Sequence, residues 1–526
     1  MPSHKFNAAH RELAAWRFRE IRNIADIPRY WAHTTPEKPA LVNATRQLNW
    51  AALNARANAI ANRLAEFGVP PGTPVGYLGK NAPEFFEIWF GCAKAGCALT
   101  PFNWRCAIEE LVAIVEDAAP PIIFVSDEFL STLDAVKART GARFHIVPFG
   151  VDGLTTWLDG AAETDPLILL TPGDIALISY TSGTTGRPKG VLASHEAFAW
   201  SFLSGVLEPA MSATAEDVML VSMPGFHLGG SWISLSALYR GATLSILPTF
   251  DPTDFIAAAA RDGATMAALV PTAIQRLLSR PVGELDALKS LRFIMYFGSP
   301  AGADLLLRAA ELLDCRLAQC YGTTESWIIS MLDHEQDLPC HPHRLASAGR
   351  ALPLVSVKIA APNGVELPIG SVGEILVRSP AALSGYHNQP EALAEAMYDG
   401  WYRTGDLGRF DEDGFLYLMD RTKDMIISGG ENIYSVEVEQ ALAKLAGVAA
   451  CAVVGLPDEK WGERVVAAIV STPGTTLTTE AVIAHCRGLI AGYKVPKEVR
   501  FLDALPQTSI GKIRKHALRE ALRQHG

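Results

Sequence analysis

The sequence has eight cysteines in 526 residues, but none of them forms a CxxC pair. They are scattered along the chain, at Cys92, Cys97, Cys106, Cys315, Cys320, Cys340, Cys451 and Cys486. In a chain of this length, such spacing predicts reduced thiols that mostly pack in the interior of a cytosolic protein. The stretch from Cys340 to His343 has no second ligand pair nearby, so we interpret it as a solvated loop and not as a metal site.

A long uninterrupted apolar run is also missing. The most apolar region, residues 85–102, is interrupted by Glu87 and Lys94, so it predicts a buried helix followed by a turn and not a membrane span. Residues 1–22 are rich in charged side chains and lack the apolar core of a signal peptide. We therefore expect a soluble, cytoplasmic protein without integral membrane association.

The sequence has no excess of positive charge. It contains 46 Lys and Arg residues against 56 Asp and Glu residues, which gives a net charge of −10. This balance gives no general electrostatic support for a nucleic-acid partner.

Internal repeats and low-complexity tracts are absent as well, and the length favours at least two domains with a large buried core.

Strand-like and helix-like patterns alternate along most of the sequence. Apolar residues at helical spacing end at Gly68, a candidate C-cap, and strand-like runs follow at residues 75–78 and 122–125. This alternation predicts an α/β body built from mainly parallel sheets. Short strands with turns between Ala346 and Arg378 predict a β-rich subdomain within that body.

A change of pattern near residues 420–424 marks a domain boundary. The roughly one hundred residues that follow read as a small α+β unit, which is a normal domain size. We therefore expect a large N-terminal domain over residues 1–422 and a mobile C-terminal lid over residues 423–526.

The most specific pattern in the sequence runs from Tyr180 to Gly190. It follows an apolar run that predicts a buried strand, and Ser194 behind it is a candidate N-cap for a helix from His195. Its glycines let backbone N–H groups approach an anion, its hydroxyl residues add donors, and Lys189 adds positive charge. The stretch suits a triphosphate. It is not a Walker A loop, because no Gly-Lys-[Ser/Thr] sequence occurs at the required spacing.

This stretch resembles the phosphate-binding signature of the adenylate-forming superfamily, which includes acyl-CoA synthetases, adenylation domains of peptide synthetases and luciferases. Five signatures in family order carry the resemblance over nearly the whole chain. It implies an ATP-binding loop formed by Thr181, Ser182, Gly183, Thr184, Thr185, Gly186 and Lys189. Thr184 and Lys189 are also implied to act in catalysis.

A second stretch, Tyr321-Gly-Thr-Thr-Glu325, resembles the signature that flanks the adenine in this family. The resemblance implies that Tyr321, Gly322 and Thr324 contact ATP. Glu325 is implied to be a catalytic residue that holds Mg²⁺, a metal that prefers hard oxygen ligands and often bridges phosphates.

Three further segments resemble nucleotide-binding parts of the family. Gly298-Ser299-Pro300 is similar to the segment at the edge of the adenine. Asp406 matches the aspartate that accepts both ribose hydroxyls, and Arg421 matches the arginine that also holds the ribose.

The resemblance also implies a moving C-terminal domain. Lys423 occupies the hinge position, where the backbone must absorb a large change. Gly429 and Gly430 resemble the loop that lines the pantetheine tunnel, where a side chain would obstruct the thiol. Arg105 matches a position that contacts a CoA phosphate in some relatives. Lys512 matches the catalytic lysine that also contacts ATP, and lysine suits that role as a compact charge on a long arm.

His227 stands where amino-acid-activating members carry an aspartate that holds the substrate ammonium. A neutral imidazole offers no such counter-charge, so we do not expect an α-amino acid as substrate. In acyl- and aryl-CoA synthetases, an aromatic residue or histidine here packs beside the carboxylate and the thiol channel, so His227 is a candidate catalytic residue. The alternative interpretation is a buried structural histidine.

An acyl pocket is implied by the same resemblance. Its candidate wall residues are His227, Leu228, Gly229, Trp232, Tyr296, Gly298, Cys320, Gly322 and Ile328. The wall is apolar and contains no cation or carboxylate, which suits an uncharged apolar acid of moderate size. Strand alternation from Gly298 predicts that Tyr296 lies on the same face, so we expect Trp232 and Tyr296 to close the pocket.

The full set of signatures implies an ATP- and Mg²⁺-dependent acyl-CoA ligase. It would form an acyl-adenylate from an aromatic, medium-chain fatty or alicyclic acid and transfer the acyl group to CoA. Two alternatives stay open: an adenylate ligase that loads a carrier protein, and a non-catalytic nucleotide-binding sensor, against which Lys512 counts. The expected partners are the small-molecule acid, ATP and CoA, and a homodimer is the candidate assembly.

Overall fold

The computed structural model describes residues 20–150, 153–181, 188–211, 213–298, 301–339, 341–429, 431–507 and 513–524. The chain divides into two compact units. The first extends to Leu345 and also includes Gly349–Ser356 and Val377–Tyr402. The second contains Ala346–Ala348, Val357–Leu376 and the chain from Arg403 onwards. In the described part of the chain, every helix is too short or too polar to cross a bilayer.

Strands and helices alternate up to residue 207. The strands are β1 (Pro39–Val42), β2 (Gln47–Asn49), β3 (Pro74–Leu78), β4 (Ala98–Phe102), β5 (Ile122–Ser126), β6 (His145–Phe149), β7 (Ile175–Thr181) and β8 (Lys189–Ser194). The helices are α1 (Asp26–Thr34), α2 (Trp50–Glu66), α3 (Pro83–Lys94), α4 (Ile108–Ala118), α5 (Leu130–Arg139), α6 (Gly153–Trp157) and α7 (His195–Leu207).

The same alternation continues to residue 398. The strands are β9 (Val218–Val221), β10 (Thr243–Ile246), β11 (Met266–Leu269), β12 (Phe293–Phe297), β13 (Arg316–Thr323), β14 (Trp327–Asp333), β15 (Arg350–Ala351), β16 (Ser356–Ala360), β17 (Gly373–Arg378), β18 (Gly385–Tyr386) and β19 (Met397–Tyr398). The helices are α8 (Leu228–Tyr239), α9 (Pro252–Asp262), α10 (Pro271–Leu278), α11 (Val282–Leu285), α12 (Ala303–Leu313), α13 (His334–Asp337) and α14 (Pro390–Ala396).

The remaining elements are mostly strands. They are β20 (Trp401–Phe410), β21 (Leu416–Arg421), β22 (Ile426–Ser428), β23 (Glu431–Ile433), β24 (Val448–Asp458), β25 (Gly462–Ser471) and β26 (Glu498–Phe501). Three helices accompany them: α15 (Ser435–Ala443), α16 (Thr479–Arg487) and α17 (Lys515–Gln524).

Two large sheets form the first unit. One has the strand order β18-β8-β7-β4-β3-β5-β6, and the other has the order β15-β14-β13-β12-β11-β9-β10-β1-β2. Pairs within β7-β4-β3-β5-β6 and from β13 through β12, β11, β9 and β10 to β1 are parallel. Antiparallel strands are added only at the edges, as in β8 on β7 and β14 on β13. This arrangement confirms the predicted α/β body with mainly parallel sheets.

The second unit differs from the first in that its longest strands pair in antiparallel fashion. Strands β24 and β25 form a long antiparallel pair, and β26 joins β25 in parallel. Helices α15 and α16 pack against each other, and α15 also packs against β24, enclosing a small apolar core of its own. This arrangement confirms the predicted C-terminal α+β part.

The predicted boundary at residues 422 and 423 does not coincide with the division into units. Residues 403–422 belong to the second unit, because β21 packs beside α15 and the Asp420 carboxylate accepts a hydrogen bond from the Ser435 hydroxyl at 2.7 Å. The assignment of residues 423–526 as a mobile lid stays a prediction.

A buried ionic cluster anchors the start of the first unit. Asp165 accepts hydrogen bonds from Arg29 at 2.7 and 3.0 Å and from Lys94 at 2.7 Å. The Lys94 side chain is fully buried and that of Arg29 is 3% exposed. Burial alone would raise the pKa of Asp165, but its bonds to the two cations hold that pKa well below the usual range.

Removing this carboxylate should leave two buried cations without their shared partner. We expect Asp165→Asn to lower the free energy of unfolding by about 3–5 kcal/mol. The matched control is Glu66→Gln, which breaks a pair with Arg63 in which the Glu66 side chain is 50% exposed, and which should cost less than about 1 kcal/mol. Denaturant unfolding of the two variants makes the comparison, and equal losses would contradict a structural role for the cluster.

Candidate active site

The two strands that flank the predicted phosphate loop form an antiparallel pair. Strands β7 and β8 pair with Tyr180 opposite Gly190 and Thr181 opposite Lys189. The Ser194 side chain caps helix α7 by accepting from the Ala197 N–H at 3.1 Å, as the sequence predicts. The hairpin therefore places Thr181 and Lys189 side by side at its base. The loop residues between them, Ser182, Gly183, Thr184, Thr185 and Gly186, lie outside the described residues.

Glu325 lies in the tight turn between β13 and β14. The register shifts between Tyr321 and Gly322, so the end of β13 is irregular. A Cβ atom on Gly322 would lie 1.8 Å from the Trp327 carbonyl oxygen, so only glycine allows the two strands to approach here. Half-buried Thr324 stands next to Glu325 in the same turn. The close approach of the two strands therefore fixes the backbone of the turn that carries the Glu325 carboxylate.

Tyr386 joins these two parts of the site, and sequence reasoning missed it. Its hydroxyl donates to Glu325 Oε1 at 3.2 Å, and the Lys189 ammonium lies 5.2 Å from its ring centroid. Tyr386 belongs to β18, which pairs with β8, opposite Val191. Two signature residues far apart in sequence thus share one neighbour. Tyr386 lies outside the signature stretches named above, and its position depends on this strand pairing.

The donor set around Glu325 suits a magnesium ion that is held mainly by its substrate. Among the residues that the structure describes, no cluster of three or more His, Cys, Asp or Glu side chains could hold a metal by itself. Mg²⁺ commonly uses one or two carboxylates and completes its coordination with water and phosphate oxygens. A single half-buried carboxylate beside a phosphate hairpin fits that requirement.

His227 and Arg105 both lie next to the Phe226 ring. The centroids of Phe226 and His227 are 4.5 Å apart, and the Arg105 guanidinium is 5.9 Å from the Phe226 centroid. Arg105 also stacks on Trp104 at 4.1 Å, and burial lowers its pKa. His227 directly precedes α8, so the start of this helix fixes its backbone. The structure thus brings the two predicted residues into one neighbourhood.

Trp232 and Ile328, two predicted pocket residues, line one small cavity. The cavity has a volume of about 10 Å³, roughly the space of one water molecule. Its other lining residues are Ser201, Ser204, Trp327, Leu352, Val355, Ser379 and Ala381. The Trp232 indole N–H donates to the Ser201 hydroxyl at 2.5 Å, which fixes the ring against α7.

Phe297 belongs to the same neighbourhood and was missed. A Cβ atom on Gly229 would lie 2.8 Å from the Phe297 ring, and Phe297 pairs with buried Cys320 across β12 and β13. Phe297, Leu228, Trp232, Cys320 and Ile328 all pack in one apolar cluster. Phe297 therefore packs against Gly229 and pairs with Cys320, two of the predicted pocket residues.

The expectation that Tyr296 closes this pocket is wrong. Tyr296 packs in a separate cluster, together with Ile294 and Leu317. Its hydroxyl contacts Gln319 at 3.2 Å and His334 Nε2 at 2.9 Å. The physical reason is the backbone at Gly298. This residue follows the last residue of β12, Phe297, and has a φ of 97°, which a strand does not adopt. Strand alternation therefore does not extend through Gly298, and Tyr296 faces away from the pocket side of the sheet.

The predicted ribose residues form an ion pair in the second unit. Asp406 and Arg421 are opposite each other on β20 and β21, and the Arg421 Nε donates to Asp406 Oδ1 at 2.7 Å. Asp406 is buried and its N–H donates to the Thr404 hydroxyl at 3.0 Å. The structure places these two residues next to each other, while their contact with a ribose stays a prediction.

The remaining predicted positions are distributed over both units. Lys423 is exposed, and its carbonyl oxygen accepts from Arg519 at 3.3 Å. Gly429 has a φ of 62° and its N–H donates to the Trp461 carbonyl oxygen at 2.7 Å. Outside the described residues lie Ser299, Pro300, Gly430 and Lys512.

The chain matches known protein families and structures over most of its length. A family model described as AMP-binding enzyme matches residues 29–387, and one described as AMP-binding enzyme C-terminal domain matches residues 437–512. The chain is similar to an indoleacetate–CoA ligase from Aromatoleum aromaticum, at 38% identity over 92% of this chain and 95% of that protein. It is also similar to a feruloyl-CoA synthase from Amycolatopsis sp, at 37% identity over 93% of this chain and 96% of that protein.

A solved structure resembles the whole chain. It is described as ATP-bound MatB from Rhodopseudomonas palustris and is 31% identical, with a TM-score of 0.87. The match covers 96% of this chain and 99% of that chain.

Proposed function

The chain belongs to the AMP-binding enzyme family, the adenylate-forming superfamily, and from this premise we propose that it is an AMP-forming acyl-CoA synthetase. The single observation that carries the proposal is the contact of both Lys189 and Glu325 with Tyr386. A cation and a carboxylate held at the base of a phosphate hairpin are the groups that a metal-bound triphosphate requires.

The proposed reaction has two steps. In the first, the substrate carboxylate attacks the α-phosphorus of ATP, forming an acyl-adenylate as pyrophosphate leaves. In the second, the CoA thiol attacks the adenylate carbonyl carbon, forming the thioester as AMP leaves. Catalysis of the first step consists mainly of positioning the reactants and stabilising the charge that develops.

The residues of this chain divide the work of the first step. Lys189 and the hydroxyl loop, from Thr181 to Thr185, hold the phosphates. Glu325 would hold magnesium, which supplies charge neutralisation at the phosphates when bound. Asp406 and Arg421 orient the ribose, and Tyr321 flanks the adenine. His227 packs beside the substrate carboxylate, and Arg105 contacts a phosphate of CoA.

We propose an uncharged aromatic acid of moderate size as the substrate. The pocket wall around Trp232, Phe297 and Ile328 is apolar, and the indole ring is fixed by Ser201. The two relatives described above are named for indoleacetate and ferulate, both aromatic acids. Medium-chain fatty and alicyclic acids are the alternatives, since they also suit an apolar wall.

A screen of acids for ATP-dependent pyrophosphate release tests the proposed function. Aromatic acids with free CoA should give AMP, pyrophosphate and a thioester in equal amounts. Thioester formation only with a carrier protein carrying a phosphopantetheine arm would favour the carrier-loading alternative. ATP binding without pyrophosphate release for any acid class would favour the nucleotide-binding sensor.

The pocket assignment predicts a change of acid preference. Trp232→Ala removes the indole from the end of the pocket, so the ratio of kcat/KM for a bulkier acid to that for a compact one should rise at least about tenfold. The control is Tyr296→Phe, which changes a side chain on the other face of the sheet and should leave this ratio unchanged. A ratio that moves in the control and not in Trp232→Ala would contradict the revised pocket.

The role of Lys512 predicts separable half-reactions. The carboxylate and the α-phosphate are both anionic, so their approach needs a cation, whereas attack by CoA needs none at this point. Losing such an electrostatic contact typically costs about 10²–10³ in rate. Lys512→Ala should therefore lose acid-dependent ATP–pyrophosphate exchange to this extent. It should still convert supplied acyl-adenylate and CoA to thioester at a near-normal rate.

Measuring each half-reaction alone decides this assignment. Normal adenylation in Lys512→Ala would contradict the catalytic role of Lys512. It would also contradict a mechanism in which the C-terminal domain rotates about Lys423. Equal loss of both half-reactions, in a variant with the native circular dichroism spectrum, would contradict the alternation alone.

A further inference from the structure

A short segment, residues 383–389, contacts both signature regions of the first unit. We call it the bridging segment. At one end, the Leu383 N–H donates to the Glu325 carbonyl oxygen at 2.7 Å. At the other end, the His387 N–H donates to the Gly190 carbonyl oxygen at 2.7 Å, and the Gln389 amide donates to the Pro188 carbonyl oxygen at 3.1 Å. The segment therefore ties the turn that carries Glu325 to the hairpin that carries Lys189.

Tyr386, at the centre of the bridging segment, contacts two charged side chains in different ways. Its ring face receives the Lys189 ammonium, 5.2 Å from the centroid, which is within the range of a cation–π interaction. Its hydroxyl, at the ring edge, donates to Glu325 Oε1 at 3.2 Å. The neutral tyrosine hydroxyl carries a proton, so it acts as the donor and the carboxylate accepts.

A second tyrosine supports Tyr386. Tyr402 is buried and its side chain lies beside that of Tyr386. The rings of Tyr386 and Tyr402 also pack together with Leu383 and Val191 in a small apolar cluster. The orientation of the Tyr386 hydroxyl is therefore fixed by packing as well as by hydrogen bonds.

Lysine and glutamate side chains that share one neighbour carry opposite charges and attract each other. No ion pair between Lys189 and Glu325 is present in the described part of the chain, and each side chain contacts Tyr386 instead. A direct pair would neutralise the charges that the phosphates and the metal need. The ring offers Lys189 a weaker partner than a carboxylate, so its charge stays usable for a phosphate.

We propose that Tyr386 is a positioning residue for adenylation, whose ring keeps Lys189 apart from Glu325 and whose hydroxyl orients the Glu325 carboxylate for the metal–nucleotide complex. This inference rests on the proposed function, which assigns Glu325 to the metal. It adds a residue that supports the carboxylate without touching the substrate, and such support commonly sets metal affinity.

Binding of Mn²⁺ in the presence of the non-hydrolysable analogue α,β-methylene-ATP tests the proposal without turnover. Electron paramagnetic resonance reports the bound fraction of the metal. Tyr386→Phe keeps the ring and loses the hydroxyl, and its Mn²⁺ dissociation constant should rise about tenfold. Tyr386→Leu also loses the aromatic face, so Lys189 can pair with Glu325, and its dissociation constant should rise further.

The matched control is Tyr77→Phe. It removes another buried tyrosine hydroxyl, which donates to the Lys80 carbonyl oxygen at 2.8 Å, and it leaves Glu325 untouched. This variant should bind Mn²⁺ as the wild type does. An equal rise in Tyr77→Phe, or wild-type affinity in Tyr386→Phe, would overturn the proposal. Identical constants for the Phe and Leu variants would overturn the spacing role of the ring.

Kinetics separate this proposal from the proposed function. In acid-dependent ATP–pyrophosphate exchange, Tyr386→Phe should need about tenfold more Mg²⁺ for half-saturation and should regain a near-normal rate at saturating Mg²⁺. A lower rate with unchanged Mg²⁺ dependence would overturn the positioning role. Absence of exchange in the wild type would contradict the proposed function, while the Mn²⁺ measurement would still decide the role of Tyr386.

Discussion

The contact between the Lys189 ammonium and the Tyr386 ring connects parts of the first unit that are distant in sequence. Lys189 begins β8, Tyr386 lies in the two-residue strand β18, and Glu325 stands in the turn after β13. A two-residue strand forms a short ladder, so side-chain contacts add to the backbone hydrogen bonds that hold its position. The cation on the ring face and the carboxylate at the ring edge provide these contacts. The geometry of the candidate site therefore depends on one aromatic residue between two opposite charges.

Much of the fold could be predicted from the sequence because local physics determines it. The apolar residues at helical spacing before Gly68 form α2, and Gly68 has the positive φ of 73° that a helix end favours. Ser194 caps α7 with its side chain, as its position before an apolar run indicates. Alternating strands and helices produce the parallel sheets. The helix, its end and its cap each depend on residues that are close together in the sequence.

The candidate site was predictable only where a signature motif carries the residue. Glu325 and Lys189 stand in recognisable motifs, and the structure places both against Tyr386. Tyr386 lies outside the motifs named above, and its contacts come from the pairing of β18 with β8 across nearly two hundred residues. Such long-range pairing leaves no local pattern in a single sequence.

The error at Tyr296 has a related cause. The period of two along a strand was extended through Gly298, although the strand ends at Phe297 and Gly298 adopts a φ of 97°. A glycine with positive φ rotates the chain, so the faces before and after it no longer correspond. The pocket side of β12 is therefore marked by Phe293, Met295 and Phe297, whose cluster also contains Trp232.

Two glycines of the signature motifs are required by packing as well as by any ligand. A Cβ atom on Gly190 would lie 3.0 Å from the Tyr180 ring and 3.1 Å from His387 Cβ, so a side chain there would push the bridging segment away from β8. At Gly322 the conflict with the Trp327 carbonyl oxygen is more severe, at 1.8 Å. These glycines hold Lys189 and Glu325 at their working separation through the backbone. The glycines of a signature motif thus reflect the backbone packing that positions the charged side chains. The chemistry itself must be tested at Lys189, Glu325 and Tyr386.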